Sequence, residues 1–251
     1  MQQLFYSDVV PLNSERHRDW SVRTVPDFRF ARNINAAPLT AVEFDQAGAE
    51  YPIVFAGGDE AVLPVAVLGV QDGENLNVGP EGAWLGRYVP AFVRRYPFVF
   101  SSDAEGKTLT LCVDEAFEGA NQTGVGERLF DSEGAQTQYT RNVLRFLQDY
   151  QAHFQRTQAF CKRLTDLDLL QPMQAQFNLS SGEKKTLGGF RVVDRAKLKA
   201  LSDADVMGLF QRDELECLYL HLASLRHFND LLERLAKPQT APETAPTEEH
   251  A

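Results

Sequence analysis

Three arginines and five aromatic residues crowd the stretch WLGRYVPAFVRRYPF, Trp84 to Phe98, in an otherwise acidic chain. Guanidinium groups are planar, bidentate donors that suit carboxylates and phosphates. Placed on a helix at 100° per residue, Trp84, Tyr88 and Phe92 share one sector, and Arg87 and Arg94 fall together on its flank. In one reading, Arg87 and Arg94 face a cleft as an anion or peptide site, with Tyr88 and Tyr96 beside them. In the other, the aromatics are core and the arginines run over it to carboxylates such as Glu43 or Asp45. Trp84 and Phe92 are expected in the interior. Arg95 is expected to pair internally, because an isolated guanidinium in a core is costly. Pro90 removes a backbone donor, so it kinks the stretch or starts a second turn, and Tyr96 with Pro97 ends it.

Other chemistry-bearing residues form only fragments of known constellations. His17 and Asp19, in HRD, have the spacing of the H-x-D pair of a non-haem iron triad. That triad needs a third histidine, and His153, His221 and His227 all fall in helical patterns. A kinase reading of HRD needs a glycine-rich loop, a downstream Asn and a DFG, none of which is present. His17 is therefore expected as a surface or cap histidine. Glu214, Cys217, His221 and Ser224 recur three or four apart on one helical side, where Cys217 and His221 would offer two ligands of an incomplete soft-metal site. The same side carries Leu218, Leu225 and Phe228, so His221 is read as a structural core histidine with its ring bonded locally. GVGE at Gly124 lacks the Lys-Ser/Thr of a phosphate loop. No catalytic residue set, metal site or cofactor is expected.

Composition narrows the function classes. Lys and Arg total 25 against 35 Asp and Glu, a formal charge of −10, which disfavours a general nucleic-acid or anionic-membrane surface. At 251 residues and 43% hydrophobic, the chain is long enough for a proper core. Cys112, Cys161 and Cys217 are widely spaced with no CxxC pair and read as reduced, mostly buried thiols. The N-terminal residues lack a basic n-region and an apolar h-region, so a cytoplasmic location is expected, and NQT at Asn121 and NLS at Asn178 read as coincidental glycosylation triplets. The most apolar run, AVLPVAVLGV, is about half a membrane span and contains a proline.

The elements that must position these residues change character along the chain. Residues 1–118 read as a β-rich antiparallel half: PLTAVEF, YPIVFAG, VLPVAVLGV, PFVFSS and KTLTLCVDE are strand-like runs, the last two joined by a hairpin turn at SSDAEG. Residues 119–136 are a glycine-rich connecting segment. In 137–236 helices take over. Val143, Phe146, Tyr150, His153, Thr157, Phe160, Leu164 and Leu167 line one side of a long helix. Leu187 to Val193 form a short strand, Asp194 and Ser202 cap two short helices, and a long final helix starts near Asp213. Residues 237–251, KPQTAPETAPTEEHA, have no large apolar residue and read as a disordered tail. Strands before helices imply an α+β fold sharing one core.

Taken in order, HR near the start, EF then YPIVF, GENLNVGPEGAWLGRYVPAFVRRYPF, ERLFDSEG, and GFRVVDRAKLKALSDADVMGLFQRDELECLYLHLASLRHFNDLLE resemble the SapC family of bacterial proteins, nearly throughout to about Leu235. The resemblance makes Arg87, Arg94, Arg95, Tyr96 and Pro97 family features. It also implies an accessory or binding protein with a peptide or protein partner, connected with bacterial surface layers or a TonB-dependent uptake or modification pathway. Relatives are often labelled peptide-transport permeases, a label that conflicts with the lack of any apolar run of about 20 residues. The alternative is an enzyme with a dispersed site, for instance an iron-dependent oxygenase using His17 and Asp19.

Overall fold

The computed structural model describes residues 4–24, 27–58, 61–103, 108–178 and 184–236. The first half carries β1 (Val9–Pro11), the single turn α1 (Ser14–His17), β2 (Ser21–Val22), β3 (Ala36–Pro38), α2 (Phe44–Gly48), β4 (Ile53–Ala56), β5 (Leu63–Val67), α3 (Ala91–Arg94), β6 (Phe98–Ser102) and β7 (Leu109–Asp114). Then come β8 (Ala120–Asn121), β9 (Glu127–Arg128), the 29-residue α4 (Gln138–Asp166), β10 (Leu170–Asn178) and β11 (Lys184–Val193). Helices α5 (Arg195–Lys199), α6 (Asp203–Phe210), α7 (Glu214–Ser224) and α8 (Phe228–Ala236) follow. The architecture is α+β, with antiparallel sheets concentrated in the first half and helices in the second.

The five-stranded sheet has the order β10-β11-β4-β5-β3. Because successive side chains of a strand point to opposite faces, β4 serves two packing layers at once. Ile53 and Phe55 join a cluster with Phe160 and Leu164 of α4 and Leu218 of α7, whereas Val54 joins one with Phe190, Val192, Phe228 and Leu231. The sheet is thus covered on both sides. Residues from both halves of the chain share the first cluster, so they fold around a common interior.

Several local expectations change. Of PLTAVEF, only Pro38 is in a strand; Thr40 instead caps a 3-10 turn, Ala41–Glu43, that runs into α2. The carboxylate of Glu43 accepts from the Thr40 amide at 2.7 Å, completing a capping box, and the T-x-x-E signal for it stands in the sequence. Strand β10 carries no clear strand signal because Pro172 and the polar run around Gln174 weaken its pattern; proline is tolerated there because β10 lies at the sheet edge. The long final helix is two, α7 and α8, separated by a 3-10 turn at Leu225–His227. The glycine-rich segment is held by the first half, since β8 and β9 flank β2 in a three-stranded sheet. Strands β6 and β7 pair as sequence neighbours. Part of their connecting turn (residues 104–107), the second and third residues of the Asn178 triplet, and the tail read at 237–251 lie outside the described residues.

Candidate functional site

The arginine-aromatic block is not one helix. Only Ala91–Arg94 are helical, after an extended Pro90 (φ −52°, ψ 140°), and the Tyr96–Pro97 peptide is cis. The sectors drawn on a continuous helix therefore do not exist. Trp84 is half-buried, and its Nε1 donates to the Tyr51 hydroxyl and to the Tyr88 carbonyl, each at 3.0 Å. Phe92 is buried. The chain at Gly86 passes so close to this group that a Cβ there would lie 2.3 Å from the Tyr51 hydroxyl.

The three arginines go to different places. The Arg87 side chain is 94% exposed, with Nε 3.5 Å from Glu50, whose carboxylate also accepts from the Arg87 amide at 2.9 and 2.8 Å. Arg95 is buried, its guanidinium 4.3 Å from the centre of the Phe92 ring and 5.2 Å from that of Tyr150. It also lies near Tyr6, where burial pushes the phenol up to about 12 against the opposing pull of Arg95. Arg94 is exposed. Its Nε donates to the Val89 carbonyl at 2.9 Å, and its guanidinium lies over the rings of Tyr88 (5.7 Å) and Phe146 (5.4 Å).

Glu43 is the anchor beneath Arg94. One carboxylate oxygen accepts from the Tyr88 hydroxyl and the Ala91 amide, each at 2.8 Å; the other accepts from the Thr40 amide at 2.7 Å and hydroxyl at 2.9 Å. Four donors compensate the burial of this carboxylate, which is 4% exposed. Burial and the Glu43 charge together push the Tyr88 phenol upward, so it stays a neutral donor to Glu43.

Beside this anchor opens a cavity of about 390 Å³, lined among others by Asp45, Tyr88, Arg94, Asp149 and His153. A second cavity of about 530 Å³ includes Arg156, Arg163, Glu214 and Cys217. Val42, Asp45 and His153 line both, so the two adjoin. Their common wall is one face of α4: Phe146, Asp149, His153, Arg156, Phe160 and Arg163 are spaced three or four apart. From 146 to 163 is 17 residues, ~26 Å at ~1.5 Å each. Nδ1 of His153 is buried and has no hydrogen-bond partner among the described residues. Arg163 is paired with Glu214. The groove is thus a corridor lined by charges of both signs, with Val42, Phe146 and Phe160 as apolar contacts among them. The sequence singled out Arg94 and Tyr88 but not Asp149, Arg156 or Arg163; their signal is the spacing on α4 that also carries its apolar stripe.

Tyr96 faces elsewhere, into a separate cavity with Arg23, Arg29, Phe30 and Phe117. His17 is fully buried rather than at the surface: Nε2 lies 3.0 Å from Glu115, Nδ1 lies 3.1 Å from the Asn13 carbonyl, and Trp20 meets the ring edge-on. Asp19 is exposed, 3.9 Å from Arg128. On α7, Glu214 turns to Arg163, while His221 and Ser224 are buried against β4. Burial pushes the thiols of Cys161 and Cys217 up to about 12 and about 11, so neither is a thiolate at neutral pH. Among the described residues no group of three His, Cys, Asp or Glu is placed to hold a metal ion.

Fold and site together define an α+β protein with a charged groove laid along its longest helix. The SapC family pattern matches residues 12–231, and the chain belongs to the SapC family. No curated protein and no solved structure matches it. Among the described residues no helix is long and apolar enough to cross a membrane.

Proposed function

We propose that this SapC protein is an accessory binding protein that holds an extended peptide segment of a partner in the groove along α4. The observation that carries this reading is the junction of two cavities at Val42, Asp45 and His153. A corridor of ~26 Å accommodates about eight extended residues at ~3.3 Å each. Its charges select the segment: Arg94, fixed over two aromatic rings, receives a carboxylate, and Asp45 and Asp149 receive a basic side chain. Val42, 57% exposed, offers an apolar contact between them. Arg87 is not part of this site in the proposal, because Glu50 already engages it. In this reading the partner belongs to a surface-layer or TonB-dependent uptake or modification pathway and the protein works in the cytoplasm, a proposal supported by membership of the SapC family.

The test is selection of a displayed octapeptide library on the intact protein. Enriched sequences pairing an acidic with a basic residue, and losing about tenfold in affinity on Arg94→Lys, support the groove. No enrichment, or peptides indifferent to Arg94, overturns it.

A further inference from the structure

The cavity that Tyr96 faces shares no lining residue with the groove and has a volume of about 380 Å³, within the range of small-molecule sites. Its aromatic wall is built from three distant segments. Phe30 and Tyr96 stack at 4.2 Å with 29° between planes, and Phe117 meets Tyr96 edge-on at 5.2 Å. All three rings are half-buried, leaving surface for a further ring. Phe117 folds back over its own loop, and this depends on Gly119, where a Cβ would come within 2.4 Å of the ring.

The polar side carries two guanidinium groups, Arg23 and Arg29, and two carboxylates, Asp27 and Glu118. Asp27 is occupied by Arg29, whose Nε donates to Oδ1 at 3.0 Å and Oδ2 at 2.8 Å while its amide donates to Oδ1 at 3.0 Å. Arg29 holds the Asp27 carboxyl below the usual carboxylate range. Gly82 (φ +87°) permits this clasp, since a Cβ there would lie 2.3 Å from Asp27 Oδ1. Glu118 is exposed and lies 3.9 Å from Arg29. Arg23 is tethered by its amide to the Gly119 carbonyl at 2.9 Å, and its guanidinium has no partner among the described residues.

We propose that this cavity binds an aromatic carboxylate, its ring against Phe30, Tyr96 and Phe117 and its carboxylate on Arg23. A cationic aromatic-cage ligand is disfavoured because Asp27 is already paired with Arg29, and the other carboxylate of the lining, Glu118, is exposed to solvent and 3.9 Å from Arg29. A ring with no charge would leave Arg23 without its counter-ion. The acid has two sources, a free small molecule or the C-terminal aromatic residue of a peptide.

Isothermal titration of the full chain with 3-phenylpropionate and its amide tests the site, beside a tripeptide ending in phenylalanine and its C-terminal amide. The acid is expected to bind at least tenfold tighter than its amide, and Arg23→Gln to erase that difference while the far-ultraviolet spectrum stays unchanged. Tighter binding of the tripeptide acid assigns the site to a peptide C-terminus; tighter binding of 3-phenylpropionate assigns it to a free acid. Equal binding of acid and amide, no binding of either acid, or an Arg23→Gln protein that keeps the preference overturns the proposal.

Discussion

The amide of Val193 and the carbonyl of Ile53 are joined through the imidazole of His221: Val193 N donates to Nε2 at 3.0 Å, and Nδ1 donates to the Ile53 carbonyl at 2.8 Å. The β11–β4 ladder pairs Phe190 with Ala56 and Arg191 with Phe55. Continued in that register, Val193 would stand opposite Ile53. The two strands separate there, and α7 inserts a side chain with one acceptor and one donor in the gap. Ser224, one turn later, completes the junction by accepting from the Ile53 amide at 2.9 Å.

Only the neutral ring can play both parts, and burial lowers the His221 pKa from 6.5 to about 4. Between those values the unfolded chain binds a proton that the folded chain refuses, so stability rises with pH. The contribution is complete above about pH 6.5 and lost as pH falls to about 4, an amount of about 3 kcal/mol. Urea unfolding across pH 4 to 7 should show a steeper acid loss for the wild type than for His221→Leu. That variant should itself be about 2–4 kcal/mol less stable at pH 7, having left Val193 N and the Ile53 carbonyl unpaired. Parallel pH profiles for the two proteins would refute this assignment.

Glu43→Gln tests the anchor beneath Arg94. A carboxamide presents an NH2 to two of the four donors that now point at the carboxylate. A loss of about 2 kcal/mol in denaturant unfolding is expected, together with weaker peptide binding as Tyr88 loosens. A fully stable variant would show that the four bonds do not persist in solution.

Arg87 and Arg94 should part in their effects. Arg94→Lys is expected to weaken groove peptides about tenfold and to lower Tm by only about 2–4 °C, because the guanidinium is exposed. Arg87→Lys should change neither quantity, as its side chain is almost wholly in solvent. Calorimetry with one selected peptide decides; equal loss of affinity in both variants would restore the two-arginine site.

His17 and Asp19 also separate cleanly. His17→Ala removes a ring packed between Glu115 and Trp20 and should cost about 2–3 kcal/mol, whereas Asp19→Ala should stay within about 0.5 kcal/mol. The informative variant for iron chemistry is therefore Asp19→Ala. Stoichiometric iron in the anaerobically purified wild type, lost in this variant with stability intact, would replace the binding reading by an enzymatic one.

What the sequence determined by itself is what lies within a turn or two of each residue. The three-four spacing of α4, the caps at Asp194 and Ser202, the β6–β7 pair and the passage from strands to helices are local patterns, and local energetics suffices to read them. The T-x-x-E box at Thr40 was equally local but hidden inside an apolar run that reads as a strand. Tertiary structure alone decided the rest. Nothing in ELECLYLHLAS names Val193 and Ile53 as the groups His221 would join, and nothing in WLGRYVPAFVRRYPF shows that Arg87 turns to Glu50 while Arg94 lies over Phe146. Buried polar groups take whichever partner the packed sheet and helices bring within hydrogen-bond reach, and those partners are set by the whole chain closing on one core.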